Sequence, residues 1–114
     1  MDYDREYNHL LRTAEEAVGL IEPGDDIIAG MAAGEPQALM EAMGGHSGFS
    51  NNRLYVMLPT HELPVDVDRE KLQIVSLYLG PVDRDDFAEG GIDLLPNHFS
   101  QLPGLLPRIT RSVC

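Results

Sequence analysis

Apolar side chains recur at steps of three and four near the start of the chain. Leu10, Leu11, Ala14, Ala17, Val18 and Ile21 fall on one face of a helix spanning residues 4–21, and Glu22-Pro23-Gly24 ends it. The period then changes. Ile27-Ile28-Ala29, entered from Asp25 and Asp26 and left through Gly30-Met31-Ala32-Ala33-Gly34, reads as a buried strand running into a tight loop. Pro36 suits the first turn of a second helix, where its missing N–H has no partner to lose. Ala38, Leu39, Met40, Ala42 and Met43 continue that helix to a stop at Gly44-Gly45.

Residues 46–52 are polar and form a loop, and residues 53–58 (Arg-Leu-Tyr-Val-Met-Leu) form a second strand. Residues 59–71 carry two prolines and alternating Val and Asp, which gives no helical face and predicts a loop with at most a short helical turn. Residues 72–79 have the branched and aromatic content of a strand buried on both faces. A short helix follows over residues 83–90, then a short fourth strand over residues 92–96. Ser100 is placed to cap a last helix that Pro103, Gly104 and Pro107 interrupt. The repeated order of strand, glycine-containing loop and helix predicts an α/β fold, with an open, mainly parallel sheet and flanking helices, in a single domain over residues 1–114.

Charge narrows the partners. Eight Lys and Arg stand against 19 Asp and Glu, a formal net charge of −11, and with no Trp the chain is a poor match to nucleic acid or an anionic membrane. The longest run without formal charge, residues 94–107, is broken by prolines and falls short of the roughly 20 apolar residues that a membrane span needs. The opening Met1-Asp2-Tyr3-Asp4-Arg5-Glu6 has neither the basic nor the apolar region of a secretory signal, and the single Cys114 can form no internal disulfide. The expected location is the cytoplasm.

In an open parallel sheet ligands bind at the carboxyl ends of the strands, so residues 30–36 are the first place to look for chemistry. Gly30 and Gly34 permit close approach by a ligand, although a tight strand-to-helix turn by itself accounts for them. A phosphate cradle there is disfavoured because Glu35 puts a carboxylate at the helix start and no Lys is near. Capping of the helix dipole is the simplest role for Glu35. His9, His46, His61 and His98 share no metal-ligand spacing and read as surface or loop residues. Ser47, Ser50, Ser76 and Ser100 lack a nucleophile-elbow context, and Cys114 is poorly placed as a nucleophile. Asp83, Arg84, Asp85 and Asp86 read as a solvated helix start. No residue qualifies as catalytic and none as a metal ligand.

Two segments carry a family likeness. Residues 26–42, Asp-Ile-Ile-Ala-Gly-Met-Ala-Ala-Gly-Glu-Pro-Gln-Ala-Leu-Met-Glu-Ala, resemble the first strand, glycine loop and Glu-Pro helix start of the acetyl-CoA hydrolase/transferase family, which includes acetate, succinate and 4-hydroxybutyrate CoA-transferases. Residues 90–103, Gly-Gly-Ile-Asp-Leu-Leu-Pro-Asn-His-Phe-Ser-Gln-Leu-Pro, resemble a later segment of the same family, and residues 72–80 fall where it has another core strand. The closing residues 108–114 do not share the likeness. The resemblance implies the N-terminal, partial CoA-transferase-like domain of an enzyme that moves CoA between an acyl-CoA and a small carboxylic acid through a glutamyl-CoA thioester. It places the catalytic Glu and the CoA-binding glycines in a second domain, so no glutamate here inherits that role. CoA thioester is then a substrate rather than a permanently bound cofactor, and Gly30, Met31, Gly34 and Glu35 are expected to line its acyl or pantetheine side. A half without its partner domain is also expected to expose apolar surface and to self-associate or form a homo-oligomer. The alternative is a non-catalytic module of the same fold that binds a protein.

Overall fold

Five short parallel strands carry the architecture. In the computed structural model, which describes residues 1–64 and 66–113, they are β1 (Asp25–Ile28), β2 (Asn52–Val56), β3 (Leu72–Ser76), β4 (Asp93–Leu94) and β5 (Ser112–Val113). Their order across the sheet is β4-β3-β2-β1-β5, and every neighbouring pair is parallel. Val65 and Cys114, the latter read as neither disulfide partner nor nucleophile, lie outside the described residues.

The continuous apolar runs arise because both faces of the central strands are covered. On one face Ile27, Leu54, Val56, Leu72 and Ile74 pack with Val18 of a helix over Ala14–Val18 and with Met40 and Met43 of a helix over Gln37–Gly44. On the other, Tyr55, Val75 and Leu77 pack with Leu102, and Ile28 of β1 and Leu105, Leu106 and Ile109 of a helix over Leu102–Ile109 close around them. In chain order the helices are α1 (Tyr3–Leu10), α2 (Ala14–Val18), α3 (Gln37–Gly44), α4 (Arg84–Ala88) and α5 (Leu102–Ile109).

The single helix expected over residues 4–21 is two. Thr13 restarts the chain with a capping box: its hydroxyl accepts the Glu16 N–H at 3.1 Å while the Glu16 carboxylate accepts the Thr13 N–H at 2.9 Å. Those reciprocal bonds satisfy the first donors of a new helix and so favour a break there. No residue of α1 is buried, and Leu10 and Leu11 are 67% and 56% exposed. Their spacing therefore marks a helical face, but none of the described residues buries it.

Other boundaries shift for local reasons. The second strand leaves the sheet after Val56, before Leu58 turns to φ +48°. The third ends at Ser76 rather than residue 79, and Pro36 sits one position before α3 instead of inside its first turn. The last helix runs unbroken, since Pro103 lies in its first turn and only Pro107 removes an internal bond. The closing segment, which does not share the family likeness, supplies β5 beside β1. No helix among the described residues is long and apolar enough to cross a membrane.

Candidate functional site

Strands β2, β3 and β4 lie on one side of β1 and β5 lies on the other, so the direction of strand succession reverses at β1. In doubly wound sheets that reversal opens a crevice at the carboxyl ends of the strands, where ligands bind. The chain leaving β1 at this point is the glycine loop. Its turn is tight: a Cβ on Gly30 would stand 2.3 Å from the Gly34 carbonyl oxygen, so position 30 accepts only glycine without rearrangement. Ala32–Gly34 forms a single 3-10 turn, closed by the Gly34 N–H on the Met31 carbonyl and the Glu35 N–H on the Ala32 carbonyl. A Cβ on Gly34 would meet nothing within 4 Å, and Met31 is exposed, so both border open space.

Glu35 does not cap α3. Its side chain is 2% exposed and turns toward the loop after β2. There Oε2 accepts the Thr60 N–H at 2.8 Å, the Thr60 hydroxyl at 2.9 Å, the His61 N–H at 3.3 Å and His61 Nδ1 at 3.3 Å. Burial alone would push this carboxyl up. The donors of Thr60 and His61 outweigh it, and the net effect holds Glu35 below the usual carboxylate range. Its second oxygen, Oε1, is buried without a hydrogen-bond partner. Four donors on two adjacent residues thus hold Glu35 as a carboxylate at the carboxyl edge of the sheet.

The loop bearing Thr60 and His61 is strained into position. Leu58, at φ +48°, donates its N–H to the Tyr78 carbonyl beyond β3, and Ala32, also at φ +48°, donates to the Met57 carbonyl at 3.4 Å. Two non-glycine residues in left-handed geometry, one beyond each of two neighbouring strands, each cost about 1–2 kcal/mol. Strain of this kind gathers where surrounding contacts fix a site.

The other candidates are scattered. His46 stacks edge-on to Phe49 with ring centres 4.7 Å apart, and no group of three metal-ligating side chains occurs among the described residues. Asp83 is not part of a solvated helix start. It is fully buried, accepting the Ser76 hydroxyl at 2.7 Å and the Gly80 N–H at 2.6 Å, and so fixes the turn after β3. A second buried carboxylate, Asp26, accepts Arg53 Nε at 2.7 Å, Arg53 Nη2 at 2.9 Å and the Arg111 N–H at 2.6 Å. Burial acts to raise its pKa, but Arg53 and Arg111 together hold it below its ordinary value. Asp26 lies inside β1 and links the sheet to β5, away from the glycine loop.

Sequence reasoning picked out Glu35 but gave it a capping role, read His61 only as a surface or loop residue, and passed over Thr60. The available signal was positional. In a parallel sheet the segment after the second strand emerges at the same edge as the segment after the first.

An open all-parallel sheet with a glycine turn and a buried carboxylate at its carboxyl edge belongs with the α/β domains that take ligands at that edge. More specifically, the chain belongs to the acetyl-CoA hydrolase/transferase N-terminal domain family, whose model matches residues 1–110. It is 29% identical over 108 residues to the butyryl-CoA:acetate CoA-transferase of Anaerostipes caccae, covering 91% of this chain and 24% of that protein. Its fold is similar to that of RipA from Yersinia pestis, with a TM-score of 0.74 and 28% identity over 93% of this chain and 28% of the other. A single-residue variant of RipA gives a TM-score of 0.73 at 28% identity, with 93% and 27% covered. The chain therefore spans about a quarter of the length of the relatives it matches.

Proposed function

We propose that this chain serves as the N-terminal domain of a CoA-transferase that moves CoA between an acyl-CoA thioester and a small carboxylic acid such as acetate, through a glutamyl-CoA thioester formed on a second domain. The observation that carries this reading is the meeting of the Gly30–Glu35 and Thr60–His61 loops at the carboxyl edge of the sheet, in a chain similar over nine-tenths of its length to a butyryl-CoA:acetate CoA-transferase. In this reading Gly30, Met31, Gly34 and Glu35 line the acyl or pantetheine side, and CoA comes and goes as substrate. Their contribution is positional, since holding the thioester against a reacting carboxylate lowers the barrier without bond making by the loop itself. A net charge of −11 repels the phosphates of CoA, so cationic groups to receive them belong to the second domain. The setting is cytoplasmic, and the exposed apolar side chains of α1 are covered by that second domain or by another copy.

The test is to co-express the chain with the remaining three-quarters of the Anaerostipes caccae enzyme and to follow passage of labelled acetate into acetyl-CoA. Exchange that needs both pieces is the expected result. A stable complex without exchange would instead favour a binding module that keeps the fold and lacks the chemistry.

A further inference from the structure

We infer that His61 and Glu35 form a general-base dyad that activates water against an acyl carbonyl at the carboxyl edge of the sheet. The assignment begins with the tautomer. Nδ1 of His61 lies 3.3 Å from Glu35 Oε2, an ionised oxygen that can only accept, so Nδ1 must carry the proton. Thr60 agrees with this. Its hydroxyl donates to the same carboxylate at 2.9 Å, which leaves its lone pairs to share the Nδ1 proton at 3.1 Å. With the Nδ1 proton directed at Glu35, Nε2 is the ring nitrogen that remains to accept a proton.

The two members of the pair differ in access as such a dyad requires. Glu35 is 2% exposed and fixed by the Thr60 and His61 backbone N–H groups, whereas the His61 side chain is 43% exposed at the ligand edge. A buried carboxylate that holds an exposed imidazole in one tautomer is the recurring way of presenting a basic nitrogen to a reacting atom. The imidazole is thus partly open to solvent while the carboxylate that holds it is not. Gly34, which precedes Glu35 in the chain, has open space where a Cβ would stand.

In the step proposed, water attacks the acyl carbon while His61 Nε2 takes its proton. The imidazolium is balanced by the Glu35 carboxylate. The bond from the acyl carbon to the leaving group then breaks, and the imidazolium returns the proton to the departing sulfur or oxygen. The acyl compound and water thus give a carboxylic acid and a thiol or alcohol. That the acyl compound is an acyl-CoA rests on the function proposed above; the dyad does not. His61 is the group that meets the reacting water, and Glu35 is a positioning residue.

The test uses the 114-residue chain with two probes: p-nitrophenyl acetate, which contains no CoA, and acetyl-CoA. Long-range ¹H–¹⁵N NMR of the imidazoles at neutral pH should show His61 protonated on Nδ1 and bare on Nε2, and E35Q should lose that single-tautomer signature. Release of p-nitrophenol should exceed that of H61A by about 10²-fold or more, the scale of a positioned general base. E35Q should fall by about tenfold or more, H98A should keep the wild-type rate, and a normal solvent deuterium isotope effect should accompany the reaction. Acceleration with p-nitrophenyl acetate but not acetyl-CoA supports the dyad and counts against the acyl-CoA reading. An H61A rate equal to wild type, a proton on Nε2 of His61, or accumulation of an acetyl-imidazole each overturns the dyad.

Discussion

Replacing Asp26 by Asn tests whether the sheet depends on the buried ion pair that ties its ends together. The wild-type carboxylate is fully buried and receives two bonds from Arg53 and one from the Arg111 N–H, while Arg53 Nη2 also donates to the Ile109 carbonyl at 2.8 Å. Asn keeps the shape but has no charge, and its amide NH2 faces donors. Removing one partner of a buried pair costs about 3–5 kcal/mol; Arg53 retains 25% side-chain exposure and can recover part of its hydration, which lowers the expected loss to about 2–4 kcal/mol. That is a large share of the roughly 5–15 kcal/mol that holds a domain folded, and it corresponds to a fall in Tm of about 8–16 °C for a chain of this size. Urea and thermal unfolding followed by circular dichroism measure it. The pH dependence supplies a second reading. Because the folded-state pKa of Asp26 is depressed, its contribution is fully present above the ordinary aspartate range and is lost as pH falls through the lower folded value. The gap between wild type and D26N should therefore be widest near neutrality and close in acid. A gap below about 0.5 kcal/mol, or one that does not change with pH, would show that the pair contributes nothing net.

Three further outcomes follow from the packing. G30A should lose about 2 kcal/mol or more, since its Cβ meets the Gly34 carbonyl oxygen, while G34A should stay within about 1 kcal/mol because its Cβ enters open space; thermal unfolding of both compares them. L54A empties a fully buried position in the central strand and should cost about 2–5 kcal/mol, read from the urea midpoint at unchanged m-value. The double change L10S/L11S on the uncovered face of α1 should move stability by no more than about 0.5 kcal/mol and should shift sedimentation toward smaller species if that face mediates association.

The sequence by itself determined the class of fold. The run over residues 72–79, rich in branched and aromatic side chains and closed by Gly80-Pro81, reads as a strand covered on both faces, and the glycine loops between strands and helices imply parallel succession. It also singled out the loop after the first strand, and two of its segments pointed to the family. It did not determine where a helical face would find cover: residues 4–21 satisfy one spacing, yet the local capping bonds of Thr13 and Glu16 split them and leave α1 uncovered. Nor could it reveal pairings whose members lie far apart in the chain. Glu35 meets Thr60 and His61 because parallel strands deliver both loops to one edge, and Asp26 meets Arg111, 85 residues on, because β5 lies beside β1. Spacing along a chain reports bonds made within a turn or a strand. A carboxylate takes its partner from whatever donors the completed sheet sets within about 3 Å, and only the tertiary structure decides that.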